Sequence, residues 1–240
     1  MWEQNDKNNY ANHVYHHLGQ ICNDEFSNDI RHYASDPANK TFLEIGTWNG
    51  LGSTKAFSEG FSCRERPTDE GFNQRERPTD EGFNRRPFGE DYIFYSLECN
   101  ADKCADAAKL YADNDKMHIL NEVIWNQEPA DFYDVFPQCK SNPTFQHWHE
   151  VDMLNMQKCA VFLDRPEIPE VFDVLLLDGG EFTTYYEFQL LKNRCKILML
   201  DDTNVDKCAK IVREIEGDAS WRIVKRVNVR NGYLIAERAF

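Results

Sequence analysis

The sequence predicts an α/β fold: a mostly parallel sheet with helices on both faces and a C-terminal antiparallel β-hairpin. Three observations predict it. Strand-like and helical runs alternate along the chain, the pattern of a parallel sheet buried between helices. Two runs, residues 171–178 and 196–201, are almost continuously apolar, as strands covered on both faces are. The last two strand-like runs, 221–227 and 232–237, are joined by a short link containing Asn231-Gly232, a strong tight-turn signal.

The 240 residues suit one α/β domain with decorations, and 41% hydrophobic with 13% aromatic residues is enough for a core. The formal net charge of −14 repels phosphate backbones and anionic lipid heads, which argues against nucleic acid and membrane surfaces as partners. No apolar run approaches the roughly 20 residues of a membrane span. The first residues show no basic start followed by an apolar stretch, so no secretory signal is expected. Eight cysteines are scattered without C-x-x-C spacing. This predicts reduced thiols, a cytoplasmic location and no zinc knuckle.

Residues 1–38 are polar, with Val14, Leu18, Ile21 and Cys22 at near-helical spacing, and are assigned to an N-terminal helical cap that Asp36-Pro37 ends. The main domain takes residues 39–240. Residues 41–46 form a compact strand ending in glycine, and Ser53-Thr54-Lys55-Ala56-Phe57 opens a helix. The segment from Arg64 to Asn73 recurs word for word from Arg75 to Asn84, with Gln74 as spacer. Its Pro, Gly and charges are poor core material, so residues 64–90 read as an exposed, mobile insertion. It is either a duplication without function or a lid or docking arm. Strands are expected at 92–98 and 117–124, a helix at 102–111, and a mixture of helix and loops over 126–170. Helices over 184–191 and 208–216 follow the two apolar strands, the second stopped by Gly217.

In open parallel sheets, ligands gather outside the carboxyl ends of the strands. Four groups fall there: the loop Glu44-Ile45-Gly46-Thr47-Trp48-Asn49-Gly50, then Glu98, Asp178 and Asp201-Asp202. Gly46 and Gly50 let the backbone turn sharply and approach a ligand closely. The spacing Gly46-x-x-x-Gly50-x-Gly52 is not the G-x-G-x-x-G of nicotinamide-binding sheets. Glu98 lies too far along for a ribose-binding acid until residues 64–90 are removed. It then stands 19 residues beyond Gly52, against about 20 expected.

Glu44, Gly46, Gly50 and Thr54, with Ser53 adjacent, form a pattern that resembles class I S-adenosylmethionine-dependent methyltransferases. It is nearest to the small metal-dependent O-methyltransferases of the macrocin, catechol and caffeoyl-CoA type. The resemblance implies a Rossmann-like fold and S-adenosylmethionine as cofactor. It implies cofactor contacts from Glu44, Gly46, Thr47, Trp48, Gly50, Ser53, Glu98 and Asp178. The segments ending in Asp178 and in Asp201-Asp202 resemble those that bind a divalent cation in that family, which implies magnesium held by Asp178, Asp201 and Asp202. Clustered carboxylates do repel unless a hard cation neutralises them. The competing assignment has Asp178 facing the cofactor and Asp201-Asp202 capping the next helix.

Asp178 and Glu181 are the candidate catalytic residues. Sugar-modifying relatives often follow the first aspartate with Asp-His, whereas this chain has Gly180-Glu181, so the usual histidine base is missing. Glu181, Tyr185 or an aspartate is left for that role. His147 and His149 have the spacing of one strand face, and His13, His16 and His17 lie on the N-terminal helix. A surface or packing role is the first reading for all five. The expected function is metal-assisted O-methylation of a small-molecule or glycan hydroxyl, and a homodimer is compatible with it. The alternatives are a nicotinamide-dependent oxidoreductase and a non-catalytic Rossmann-like binding domain.

Overall fold

A computed structural model describes residues 21–64 and 92–239. Val14, Leu18, His13, His16, His17 and all of the tandem repeat except Arg64 lie outside the described residues.

A seven-stranded sheet forms the body. Its strands are β1 (Thr41–Ile45), β2 (Ile93–Leu97), β3 (Met117–Leu120), β6 (Phe172–Leu177), β7 (Cys195–Asp201), β8 (Trp221–Val227) and β9 (Tyr233–Arg238). Their spatial order is β3-β2-β1-β6-β7-β9-β8, so the chain reverses direction across the sheet beside β1. The strands from β3 to β7 are parallel, and β9 runs antiparallel between β7 and β8. The sheet is the predicted Rossmann-like α/β arrangement with its closing hairpin. Every residue of β6 is buried, as a central parallel strand requires.

Side chains alternate across the sheet. Leu43, Leu175, Leu177, Leu198, Leu200 and Leu234 face one way. They meet Phe188 and Leu191 of α7 (Thr184–Leu191) and Ile211 and Ile215 of α8 (Asp206–Gly217). Phe42, Phe94, Val174, Leu176, Met199 and Ile235 face the other way. They meet Phe57 and Phe61 of α2 (Ser53–Cys63) and Phe26, Ile30 and Ala34 of α1 (Glu25–Ser35). Helix α3 (Ala101–Leu110) opens on Asn100, whose side chain accepts from the amides of Asp102 and Lys103.

Several expectations are corrected. Ile21 and Cys22 precede the first described helix instead of lying on it; α1 starts after Asp24, which forms a capping box with Ser27. Its buried face makes it part of the main core. The strand expected over 117–124 breaks at Asn121. Only β3 joins the large sheet, while β4 (Glu122–Val123) turns away to pair with β5 (Ala160–Val161). Between them lie α4 (Phe132–Val135), α5 (Gln138–Ser141) and α6 (Pro143–Met156). His147 and His149 sit on helix α6 and not on a strand. His149 is buried, stacked on Phe132 at 3.8 Å and bonded through Nε2 to Glu128 at 2.7 Å, while His147 is exposed. Arg64, the first repeat residue, is anchored: its guanidinium donates to the carbonyls of Ala34, Asp36 and Asn39 and lies over Phe42, Phe61 and Tyr92. None of the cysteines is paired in a disulfide. Among the described residues, no helix is long and apolar enough to cross a membrane.

Candidate active site

The carboxyl ends of β1, β2 and β6 open onto a cavity of about 580 Å³. The loop after β1 forms one wall. Gly46 has φ +100°, and a Cβ there would lie 2.1 Å from the Asp178 carbonyl oxygen, because the ends of β1 and β6 are joined by the Asp178 amide donating to the Ile45 carbonyl at 2.9 Å. Only glycine fits that approach. The amides of Gly46 and Gly50 are both engaged within the fold, on the carbonyls of Leu97 and Thr47. These two glycines shape the loop and do not offer their N–H groups to a ligand. Gly50 (φ +75°) faces Ala107 and Tyr111 of the neighbouring helical segment and is not on the cavity wall.

Glu98 lies at the end of β2 and on the wall. One of its carboxylate oxygens accepts from the Trp48 amide at 2.7 Å, the other from the Asn100 amide at 2.9 Å. Burial pushes its carboxyl up, against the pull of those two amides. Trp48, at φ 51°, has its indole beneath the Lys103 ammonium, 4.3 Å away. Glu44 is fully buried beneath the loop and off the wall, accepting from Thr54 Oγ1 and Ser96 Oγ. It ties β1 to α2 and β2, so its expected direct cofactor contact is replaced by a supporting position. Thr47, Ser53 and Asp178 line the cavity.

Asp178, Asp201 and Asp202 come together as the resemblance implied, with one oxygen from each within 4.8 Å of the others. The protein itself sets two cations, Lys207 and Arg230, against these three carboxylates. Lys207 Nζ lies 2.9 Å from Asp178 Oδ1 and 3.1 Å from Asp202 Oδ2. Asn231 Nδ2 donates to the other Asp202 oxygen at 3.1 Å. Arg230 grips both oxygens of Asp201 at 3.1 Å and reaches Asp24 at 2.8 Å. Burial disfavours the Lys207 charge, but Asp178 and Asp202 outweigh it and hold the ammonium charged well above its ordinary range. A magnesium ion wants near-octahedral oxygens at about 2.0–2.1 Å. That geometry does not fit a centre in which an ammonium bridges two of the three donors. Neither aspartate caps α8, whose N-cap is Val205 with no side-chain bond.

Of the candidate bases, Tyr185 points elsewhere: its hydroxyl donates to Glu214 at 3.0 Å. Glu181 is half-buried in the loop after β6 but is not on the wall. Three acids that sequence reasoning missed are on it, Glu122 of β4, Asp152 of α6 and Glu187 of α7. Burial pushes Asp152 up to about 6 and Glu187 up to about 7. Glu187 is 4% exposed, and its Oε2 accepts no hydrogen bond among the described residues. Gly179 and Gly180 make room for Glu187 and Asp152, since a Cβ would lie 2.5 Å from Glu187 Oε2 and 2.6 Å from Asp152 Oδ2. Glu187 was visible in the sequence as the single charge in an apolar helical run.

No family model and no curated protein matches the chain. Solved structures do match. The O-methyltransferase from Bacillus cereus, in complex with SAH, superposes with a TM-score of 0.51 at 10% identity, over 94% of this chain and 86% of that one. A methyltransferase from Geobacter sulfurreducens gives a TM-score of 0.51 at 10% identity, over 95% and 86%. At such identities the likeness establishes the fold alone, a Rossmann-like sheet closed by an antiparallel hairpin.

Proposed function

We propose that the protein is an S-adenosylmethionine-dependent methyltransferase acting on a hydroxyl of a small molecule or glycan. The observation that carries this reading is the charge of the cavity wall. Glu98, Glu122, Asp152, Asp178, Glu187 and Asp202 line it, and among the described residues Lys207 is the one cation that does. A dinucleotide pyrophosphate entering there meets like charge, whereas a sulfonium nucleoside with its α-ammonium meets opposite charge. The unpartnered Glu187 oxygen is a ready acceptor for such a cation. The loop spacing and the shared fold support the same choice over a nicotinamide-dependent oxidoreductase. The hydroxyl acceptor is carried by the resemblance of the strand-end segments.

When bound, S-adenosylmethionine supplies a methyl carbon made electrophilic by its sulfonium. Each Glu98 oxygen holds one backbone amide and has a lone pair left, which suits the two hydroxyls of a ribose. The wall must hold the acceptor oxygen in line with the methyl carbon, and that positioning is the main contribution the protein makes. As the O–C bond forms and the C–S bond breaks, the acceptor proton needs a base. Asp152 and Glu187 have carboxyls raised toward neutrality on the wall itself, in the range that suits proton transfer. Asp178 and Glu181 were the sequence choices; Asp178 is committed to Lys207 and Glu181 is one step removed.

Calorimetry tests the cofactor and labelled methyl transfer to hydroxyl compounds tests the reaction. Binding of S-adenosylhomocysteine with no heat from NAD is the expected result. Binding of NAD with a flat S-adenosylhomocysteine titration on folded protein would overturn the proposal.

A further inference from the structure

We infer that Lys207 is a built-in cation, standing where this fold's metal-dependent members would hold a divalent ion, so that the three-aspartate cluster needs no metal. The geometry carries it. One ammonium lies within hydrogen-bond distance of Asp178 and Asp202, and one guanidinium covers both oxygens of Asp201. Asn231 takes the remaining Asp202 oxygen.

The position of Lys207 is itself informative. It is 5% exposed and belongs to the first turn of α8. Helix N-termini carry partial positive charge, so a lysine is disfavoured there, and burial disfavours it further. Both penalties are met by the paired carboxylates, which makes the lysine and the aspartates one unit. Lys207 also lines the cavity, so the charge it brings faces the ligand space. Within the proposed methyl transfer, Lys207 is a positioning residue that fixes Asp178 and the loop after β7 at the mouth of the sheet.

The inference concerns the cluster whether or not the methyl-transfer reading stands, and one experiment separates them. Purified protein is stripped with chelator and titrated with Mn2+, with the free ion read by electron paramagnetic resonance. S-adenosylhomocysteine calorimetry on the same samples reports the functional reading independently. Wild type and Lys207→Arg should leave Mn2+ free. Lys207→Met should gain one site, at least about tenfold tighter than any wild-type binding, because removing the ammonium exposes the carboxylates. Melting curves establish that the variants are folded, and Lys207→Gln replaces the methionine variant if that one fails to fold. A wild-type Mn2+ site that Asp178→Asn or Asp202→Asn abolishes would overturn the inference. A folded Lys207→Met that gains no site would overturn it too.

Discussion

Replacing Gly46 with alanine tests the claim that the ends of β1 and β6 are pressed together at the cavity floor. The added Cβ would stand 2.1 Å from the Asp178 carbonyl oxygen and 2.6 Å from its carbonyl carbon, both backbone atoms that cannot swing aside. The strand ends would have to part, straining the 2.9 Å bond between the Asp178 amide and the Ile45 carbonyl. Holding a non-glycine residue at such a φ costs on the order of 1–3 kcal/mol. Overpacking of this kind adds roughly 1–3 kcal/mol. The combined loss, about 2–6 kcal/mol, corresponds to a fall in Tm of roughly 4–24 °C for a chain of this length. Gly217→Ala is the control, because nothing lies within 4 Å of its added Cβ. At the end of a helix that change should leave Tm equal or slightly raised. Differential scanning calorimetry measures both, and S-adenosylhomocysteine titration should show Gly46→Ala binding weakly or not at all. A Gly46→Ala protein with wild-type Tm and wild-type affinity would refute the reasoning.

Other outcomes follow from the same geometry. Glu98→Gln should weaken S-adenosylhomocysteine binding by about tenfold or more, since hydrogen bonds to a charged carboxylate are worth roughly 1.5–3 kcal/mol, and calorimetry reads the change. Asp152 at about 6 and Glu187 at about 7 are protonated at low pH and ionise as pH rises. Affinity for the cationic S-adenosylmethionine should therefore increase from pH 5.5 to 8, more steeply than for S-adenosylhomocysteine, which lacks the sulfonium; equal slopes would remove these two acids from the site. Arg230→Met leaves the buried Asp201 carboxylate without its partner and should cost about 3–5 kcal/mol in chemical denaturation.

The apolar runs of β6 and β7 and the Asn231-Gly232 turn were legible because a doubly covered parallel strand and a tight hairpin each leave a local signature. Glu98 was legible once the repeat was set aside. Helix α1 is announced by Asp24, Ser27 and the 26-30-34 spacing of its buried residues, which the near-helical spacing upstream of it masks in the sequence. The break at Asn121 was not legible. A strand's apolar pattern does not tell which of two sheets it joins, and that choice depends on β5, some forty positions away. Lys207 escaped notice for a related reason. A lone lysine opening an amphipathic helix reads as a solvated charge until the fold brings Asp178 beside it. The glycines illustrate a subtler gap: Gly46 lines the cavity and Gly50 does not, and both amides are engaged within the fold.

The two sides of the cavity grow from separate strand ladders, tied together where the Asn121 side chain donates to the carbonyls of Glu98 and Cys99. Gly46, Trp48 and Glu98 grow from the large sheet, whereas Glu122, Val123, Asp152 and Met156 belong to the small β4–β5 pairing and α6. Beside that pairing lies an aromatic nucleus of its own, built on Phe132, Phe136 and Phe182. Substitutions in the 121–165 stretch can recontour one jaw while the opposing one keeps its shape. Under the proposed function, a chain so divided can exchange one acceptor for another by local drift while the ends of the large sheet keep the nucleoside.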